Sequence, residues 1–360
     1  MVITGEASAS KVQDIETRLK FLVDHLEDTY DIRRKHHPSP LTYLLSSGVA
    51  SADPSAISAF ARRRLRWVVD LDYDTNPMDA WDLIDLGAAV SHRPNKSTLA
   101  AAYHAFAQHV GRLTASGPRP AYLFGTGPSL RLAIDRSFQD GITIVCNTIV
   151  RDAELWHHLS PSFLAAGDGV YHFGHNPHAR QFRADAHRRL RESNGDTLFV
   201  YPYQFDVIVR AEFQDIEHLL VPIPRGEHTD ATIDLIRNFS IPPLGNVLCD
   251  ELLPLGCTVS KDVRLWGFDG RAPNDDGFWA NSNRQSYPEL MQSMRELHPA
   301  FFANAVPTGN EVRYVTEVHG DRLDERLTEA EGRGYTFRML HPSWTPTFQK
   351  RFHGTDPDRA

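Results

Sequence analysis

The sequence predicts an α/β protein: a doubly wound, mostly parallel Rossmann-like sheet with an N-terminal helical region. Three observations lead there. From Ala121 onward, short apolar runs alternate with amphipathic stretches. These runs are continuous rather than alternating, as in strands covered on both faces. The first of them passes through Gly125-Thr126-Gly127-Pro128-Ser129 into a helix-like segment, the strand–turn–helix order that aims backbone N–H groups at an anion.

The elements follow in chain order. Residues 1–116 read as mostly helical. In 11–26, Val12, Ile15, Leu19, Leu22 and Leu26 form one helical stripe, which could also seat a second copy of the chain. Further helices are expected over 54–69, 77–86 and 97–113. The Ala115-Ser116-Gly117-Pro118-Arg119-Pro120 stretch is a linker composition, and the chain divides into a helical region (1–116) and a nucleotide-binding domain (117–360). There, strands are expected at 122–124, 142–146, 169–173, 197–201, 219–223, 263–267 and 336–340. Helices are expected at 129–138, 152–159, 177–192, 204–213, 245–255 and 322–331. Ligands of such sheets sit at the carboxyl ends of the strands, near the switch in strand order.

Composition narrows the function. With 360 residues, 41% hydrophobic and 23% charged, the chain reads as an ordinary globular protein. It has no apolar run near the roughly 20 residues needed to span a bilayer and no signal-peptide pattern at its start. A net charge of −8 gives no reason to expect nucleic acid as a partner. The basic clusters at Arg62-Arg63-Arg64 and Arg188-Arg189 read as solvated helix faces. Three cysteines without Cys-x-x-Cys spacing form neither a disulfide framework nor a zinc site, which fits a cytoplasmic protein.

The residues that could carry chemistry gather at expected strand ends. Gly125 and Gly127 permit close backbone approach, Pro128 suits a first helical position, and Ser129 adds a hydroxyl near the positive end of the helix dipole. Asn147 stands twenty positions after Gly127, where a dinucleotide fold would carry an acid to hold a ribose. Its carboxamide can both donate and accept, so the pattern points to a nucleotide other than NAD. Asp269 ends the strand at 263–267 and could orient a loop or bind a substrate hydroxyl. Arg271 could offset phosphate charge. Asp275 and Asp276 read as a turn in preference to a metal site. His319 could act as a general base, tuned by Glu317, with His298 and His341 as rivals. His172 and His175 are candidates to line a substrate pocket.

Taken together, Gly125-Thr126-Gly127-Pro128-Ser129-Leu130, Cys146-Asn147, Gly267-Phe268-Asp269 and a late His319-Gly320, helix, strand, Pro342-Ser343 unit resemble the bacterial sialyltransferases of glycosyltransferase family 42 and the related MptE-like group. The likeness covers roughly residues 120–348. It implies a variant of the GT-A type of fold and an inverting, metal-independent glycosyltransferase. The donor would be a nucleotide-sugar, a CMP-linked sialic-acid-like sugar by this resemblance, and the acceptor a glycan or glycoprotein hydroxyl. It implies that Thr126 stands where the family has Asn, that Asn147 contacts the CMP moiety, and that Gly245 and Asn246 form a nucleotide-contacting turn. It places Arg271 at the position of a tyrosine that assists the leaving phosphate, and His319 in the segment carrying the base. No cofactor is required in this reading. The MptE-like alternative is a pyrophosphokinase using Mg2+, and a non-enzymatic nucleotide-binding scaffold is a third reading. The N-terminal helices could dock an acceptor or the inner membrane surface.

Overall fold

The computed structural model describes residues 2–4, 8–26, 33–34, 49–51, 68–70, 74–91, 96–226, 233–241, 246–270, 285–305 and 321–354. The larger of its two sheets has seven strands: β5 (Ala121–Phe124), β6 (Ile142–Cys146), β7 (Phe163–Ala165), β8 (Leu198–Pro202), β9 (Leu220–Ile223), β10 (Asp262–Trp266) and β11 (Thr336–Met339). They lie in the order β11-β10-β5-β6-β7-β8-β9, and every pairing is parallel. The chain steps outward from β5 to β9, then returns to the other side of β5 to lay down β10 and β11. The strand order therefore reverses between β5 and β10, which opens a crevice at their carboxyl ends.

Burial explains the pattern legible in the sequence. Every residue of β5 to β9 is buried, so these strands carry uninterrupted apolar runs. Strand β10 and the edge strand β11 alternate instead. The strand expected at 169–173 is a π-helical turn, Gly169–Phe173, and the sheet position is filled by β7. The run is apolar because it is buried under helix packing. It coils because Asp168 accepts the N–H groups of Val170 (2.7 Å) and Tyr171 (2.8 Å).

The N-terminal part departs from the helical expectation. Four short strands, β1 (Val2–Thr4), β2 (Arg33–Arg34), β3 (Val49–Ser51) and β4 (Val68–Asp70), form a second sheet in the order β2-β1-β3-β4, all parallel. Strands of two or three residues are too brief to show a period of two, and β4 closes the segment assigned to a helix at 54–69. Most of that segment lies outside the described residues. Three helices lie where the apolar spacing predicts them: α1 (Ala9–Asp24), α2 (Asp79–Val90) and α3 (Lys96–Thr114).

Helix α2 places this unit over the main sheet. It packs on α1 and β4 on one side, and on the Gly169–Phe173 turn and the Tyr203–Phe205 segment on the other. Those last two segments follow the carboxyl ends of β7 and β8. A buried polar chain holds the contact. Arg18 of α1 bonds Asp79 of α2 and the Leu297 carbonyl. Asp79 accepts from His298 Nδ1 at 3.0 Å, and His298 Nε2 lies 3.3 Å from the Asn176 amide nitrogen. All four side chains are at most 2% exposed. Breaking such a network would leave an uncompensated charge, a cost of roughly 3–5 kcal/mol. No helix among the described residues is long and apolar enough to cross a membrane.

Candidate functional site

The glycine turn stands at the switch point, as its sequence implies, but its amides face the protein. Gly125 N–H donates to the Trp266 carbonyl and Gly127 N–H to the Gly267 carbonyl, each at 2.8 Å. Ser129 N–H donates to both carboxylate oxygens of Asp269, at 3.1 and 3.2 Å. These three donors, expected to cradle a phosphate, instead knit the loop after β5 to the loop after β10. The physical reason is backbone approach. A Cβ on Gly125 would stand 2.6 Å from the Gly267 carbonyl oxygen, and one on Gly267 only 2.2 Å from that of Gly125. Gly267 also has φ +78°, the left-handed region that favours glycine. Pro128 opens a 3-10 helix, Pro128–Asp135, and Thr126 is buried.

The loop after β11 completes this knot. His341 Nδ1 faces the Pro342 carbonyl at 2.7 Å and so carries the proton, leaving Nε2 to accept from Gly267 N–H at 2.9 Å. Burial pulls His341 below the ordinary histidine value, against the opposing pull of Asp269. The Ser129 hydroxyl lies 2.7 Å from His341 Nε2 and 2.9 Å from Asp269 Oδ2. Serine, imidazole and carboxylate within reach of one another are the makings of a nucleophile. Two features oppose that use. The Nε2 lone pair is engaged by Gly267, and the Asp269 carboxylate sits against Ser129 where an oxyanion would need donors. The cluster positions three loops. Asp269, a catalytic candidate by sequence, is the residue that ties them.

A second polar group lies one and two strands away, at the carboxyl ends of β6 and β7. Asn147 follows β6 with φ +53°, a conformation that few non-glycine residues adopt. Its Oδ1 is buried and has no hydrogen-bond partner. The neighbouring Thr148 hydroxyl donates to the Gln285 carbonyl at 2.6 Å, and the Gln285 side-chain oxygen is also buried and unpartnered. Glu251 lies on a π-helical turn, Leu248–Leu252. It is 1% exposed, and neither of its carboxyl oxygens has a partner. It rests on Gly167, just past β7, where a Cβ would come within 2.3 Å of Oε1. Burial, aided by Asp250, holds its carboxyl well above the usual range, with Arg225 opposing. Asp168 is raised by burial despite the two amides it accepts, and Asp85 on α2 is raised to about 6, chiefly by burial. Arg225, just past β9, lies over the Trp81 ring of α2 at 5.0 Å, and its Nε is unpartnered. π-Helical turns are rare and cluster at functional sites; here two of them flank Gly167.

The other sequence candidates fall as follows. His172 is buried, its Nδ1 accepts the Asp168 N–H at 3.1 Å, and burial pushes it well below the ordinary value. It closes the π-helical turn. His175 packs 5.0 Å from the Phe21 ring of α1. Neither side chain opens toward the switch point. Asn246 accepts the Cys249 N–H at 2.9 Å and starts the Leu248–Leu252 turn, while its amide nitrogen is unpartnered. Gly245, Arg271, Asp275, Asp276, Glu317 and His319 lie outside the described residues. Sequence reasoning missed Glu251, Asp168, Asp85, Trp81 and Arg225. The one available signal was the Asp250-Glu251 pair set in an otherwise apolar helical run.

Among the described residues, no group of three or more His, Cys, Asp or Glu converges as a metal site. An open hollow of about 580 Å3 lies away from this edge, lined by Asp324, Glu331, Tyr335, Lys350 and Arg351. Its charges are spent on one another, since Arg351 bonds Glu331 at 2.7 Å and Asp324 at 2.9 Å. Comparison of the chain with protein-family models, with curated proteins and with solved structures finds no match.

Proposed function

We propose that the chain is a transferase that binds a nucleotide-activated donor at the carboxyl edge of the main sheet and passes its glycosyl group to a hydroxyl. The observation that supports this reading is Asn147: a left-handed residue that follows β6, next to the switch point, with its carboxamide oxygen buried and bare. The resemblance to the sialyltransferase-like families supplies the finer reading, a CMP-linked sialic-acid-like sugar and a glycan or glycoprotein acceptor.

The chemistry asked of the site is modest. A base removes the acceptor proton while the anomeric carbon gains oxocarbenium character and the phosphate leaves. The roles of His319 as base and Arg271 as phosphate partner rest on the resemblance. Phosphate binding falls to Arg271 and other side chains, because the amides of Gly125, Gly127 and Ser129 are already engaged.

Thermal unfolding with CMP, UMP, ATP and GDP, each with and without Mg2+, tests the reading. A hundredfold excess of CMP over its Kd should add about 2.7 kcal/mol of stability without metal. His319→Ala should then abolish transfer and leave that shift intact. If ATP alone shifts the transition, and only with Mg2+, the phosphotransferase reading replaces this one. If no nucleotide does, the donor-binding reading falls.

A further inference from the structure

The loop after β11 buries its polar side chains and turns an indole outward. Over residues 342–346 exposure alternates: Pro342, Trp344 and Pro346 face solvent, and Ser343 and Thr345 are buried. Trp344 is 55% exposed, the most open large apolar side chain among the described residues. Its backbone is held on both sides. Trp344 N–H donates to the Asp269 carbonyl at 2.6 Å. The Ser343 hydroxyl donates to the Phe268 carbonyl at 2.7 Å and accepts the Thr345 N–H at 3.1 Å. Gly270, with φ +70°, admits this contact, since a Cβ there would stand 2.6 Å from Thr345 Oγ1. The knot of Ser129, Asp269 and His341 anchors the same loop. A single exposed apolar side chain is ordinary on a protein surface. One held this firmly, on the edge where such sheets bind their ligands, is placed for contact.

We propose that Trp344 is the platform on which a sugar ring of the acceptor stacks. The strand order sets its distance from the donor side. Asn147 follows β6 and Trp344 follows β11, with β5 and β10 between them, so three strand spacings, about 14 Å, part the two strands. The crevice of the switch point opens in the middle of that span. A base held at Asn147 therefore leaves Trp344, on the opposite bank, to the second substrate. A pyranose suits the indole chemically. One face of its ring presents C–H groups made partly positive by the neighbouring oxygens, and the face of an indole is negative. The hydroxyls at the rim stay in water. Because the Ser343 hydroxyl is already engaged, the platform reads the apolar face of the ring in preference to its hydroxyl pattern. This inference rests on the transferase reading above and supplies a residue for the acceptor, which that reading lacks.

Saturation-transfer NMR on the whole chain, with lactose, maltose and diacetylchitobiose as probes, detects such contacts. Calorimetry with CMP runs in parallel. At least one disaccharide should receive saturation at the C–H protons of one ring face. Trp344→Ala should weaken that disaccharide roughly tenfold or more, and Trp344→Phe, which keeps a smaller aromatic face, should retain part of the affinity. CMP affinity should be the same in all three proteins. Trp344→Ala should also unfold at the parental temperature, because most of the side chain already stands in solvent. No saturation of any of the three sugars, or the same saturation in Trp344→Ala, overturns the platform. Loss of CMP affinity in Trp344→Ala also overturns it, by assigning the indole to the donor. A chain that binds no nucleotide but keeps a Trp344-dependent sugar contact removes the donor reading and leaves the platform standing.

Discussion

Asn147 holds its backbone at φ +53°, where glycine would be at ease and most other residues are strained by about 1–2 kcal/mol. Ser129, Asp269 and His341 make the contrast, because every polar atom they bring to the switch point finds a partner within the protein. Satisfied groups such as these knit loops, whereas the Asn147 carboxamide oxygen has no partner in the protein. Asn147→Gly therefore separates the two roles. It should leave the free energy of unfolding within about 1 kcal/mol of the parent's, because asparagine itself visits this region and glycine adds chain entropy to the unfolded state. It should weaken CMP binding, because the carboxamide is gone. Urea denaturation reads the first effect and calorimetry the second. A variant of parental stability that binds CMP as well as the parent would make Asn147 a plain turn residue and remove the main support for the donor site.

The strand–turn–helix element after β5 shows how a correct element can carry a mistaken cause. Gly-x-Gly was legible as a turn at the switch point, but its glycines admit a neighbouring loop, to which their amides are bonded. Gly125→Ala drives a Cβ to 2.6 Å from the Gly267 carbonyl oxygen. That clash is with backbone, which cannot swing away, so a loss of about 3 kcal/mol is expected. Gly111→Ala is the counterpart. Gly111 lies exposed in α3 with nothing within 4 Å of a new Cβ, so the helix should gain about 0.5–1 kcal/mol. Thermal melts of the two variants should move in opposite directions, and a Gly125→Ala melt at the parental temperature would show that the loops can separate. The same distinction governs what the sequence disclosed. β5, β6, β8 and β9 were legible because buried parallel strands carry continuous apolar runs, and β10 and β11 were legible although theirs alternate. β7 was hidden because Gly169–Phe173 imitates such a run, and β1 to β4 because they are too short to have a period. Glu251 was illegible for a different reason: an acid in an apolar helix acquires meaning only from Gly167, which is distant in sequence.

At the scale of the molecule, buried ionisable groups of opposite character share one interior, and together they set how stability depends on pH. Burial pushes His109 and His178 down to about 4, and also lowers His172, His175 and His341. The unfolded chain takes up protons at these five histidines near their ordinary value of 6.5, whereas the folded chain refuses them. Stability rises with pH wherever the unfolded chain holds more protons, so it should fall as the pH drops from about 6.5 toward 4. The buried acids act in the reverse sense. Asp85, raised to about 6, and Asp168 and Glu251 keep protons that the unfolded chain releases near 4. Their contribution is present at low pH and is lost as the pH climbs through their folded values. Between about pH 4.5 and 6.5 five histidines oppose three acids and prevail. Above 7 the histidines are neutral in both states, and only the contribution of the buried acids is left to decline. The stability maximum should therefore lie between about pH 6 and 7, with a fall on either side. Urea midpoints measured from pH 4.5 to 9 would trace the curve. Glu251→Leu should flatten its alkaline limb and steepen the acid one, where one acid fewer opposes the histidines. A profile level across the range, or a maximum below pH 5, would mean that the histidines and acids do not keep these charge states inside the folded chain.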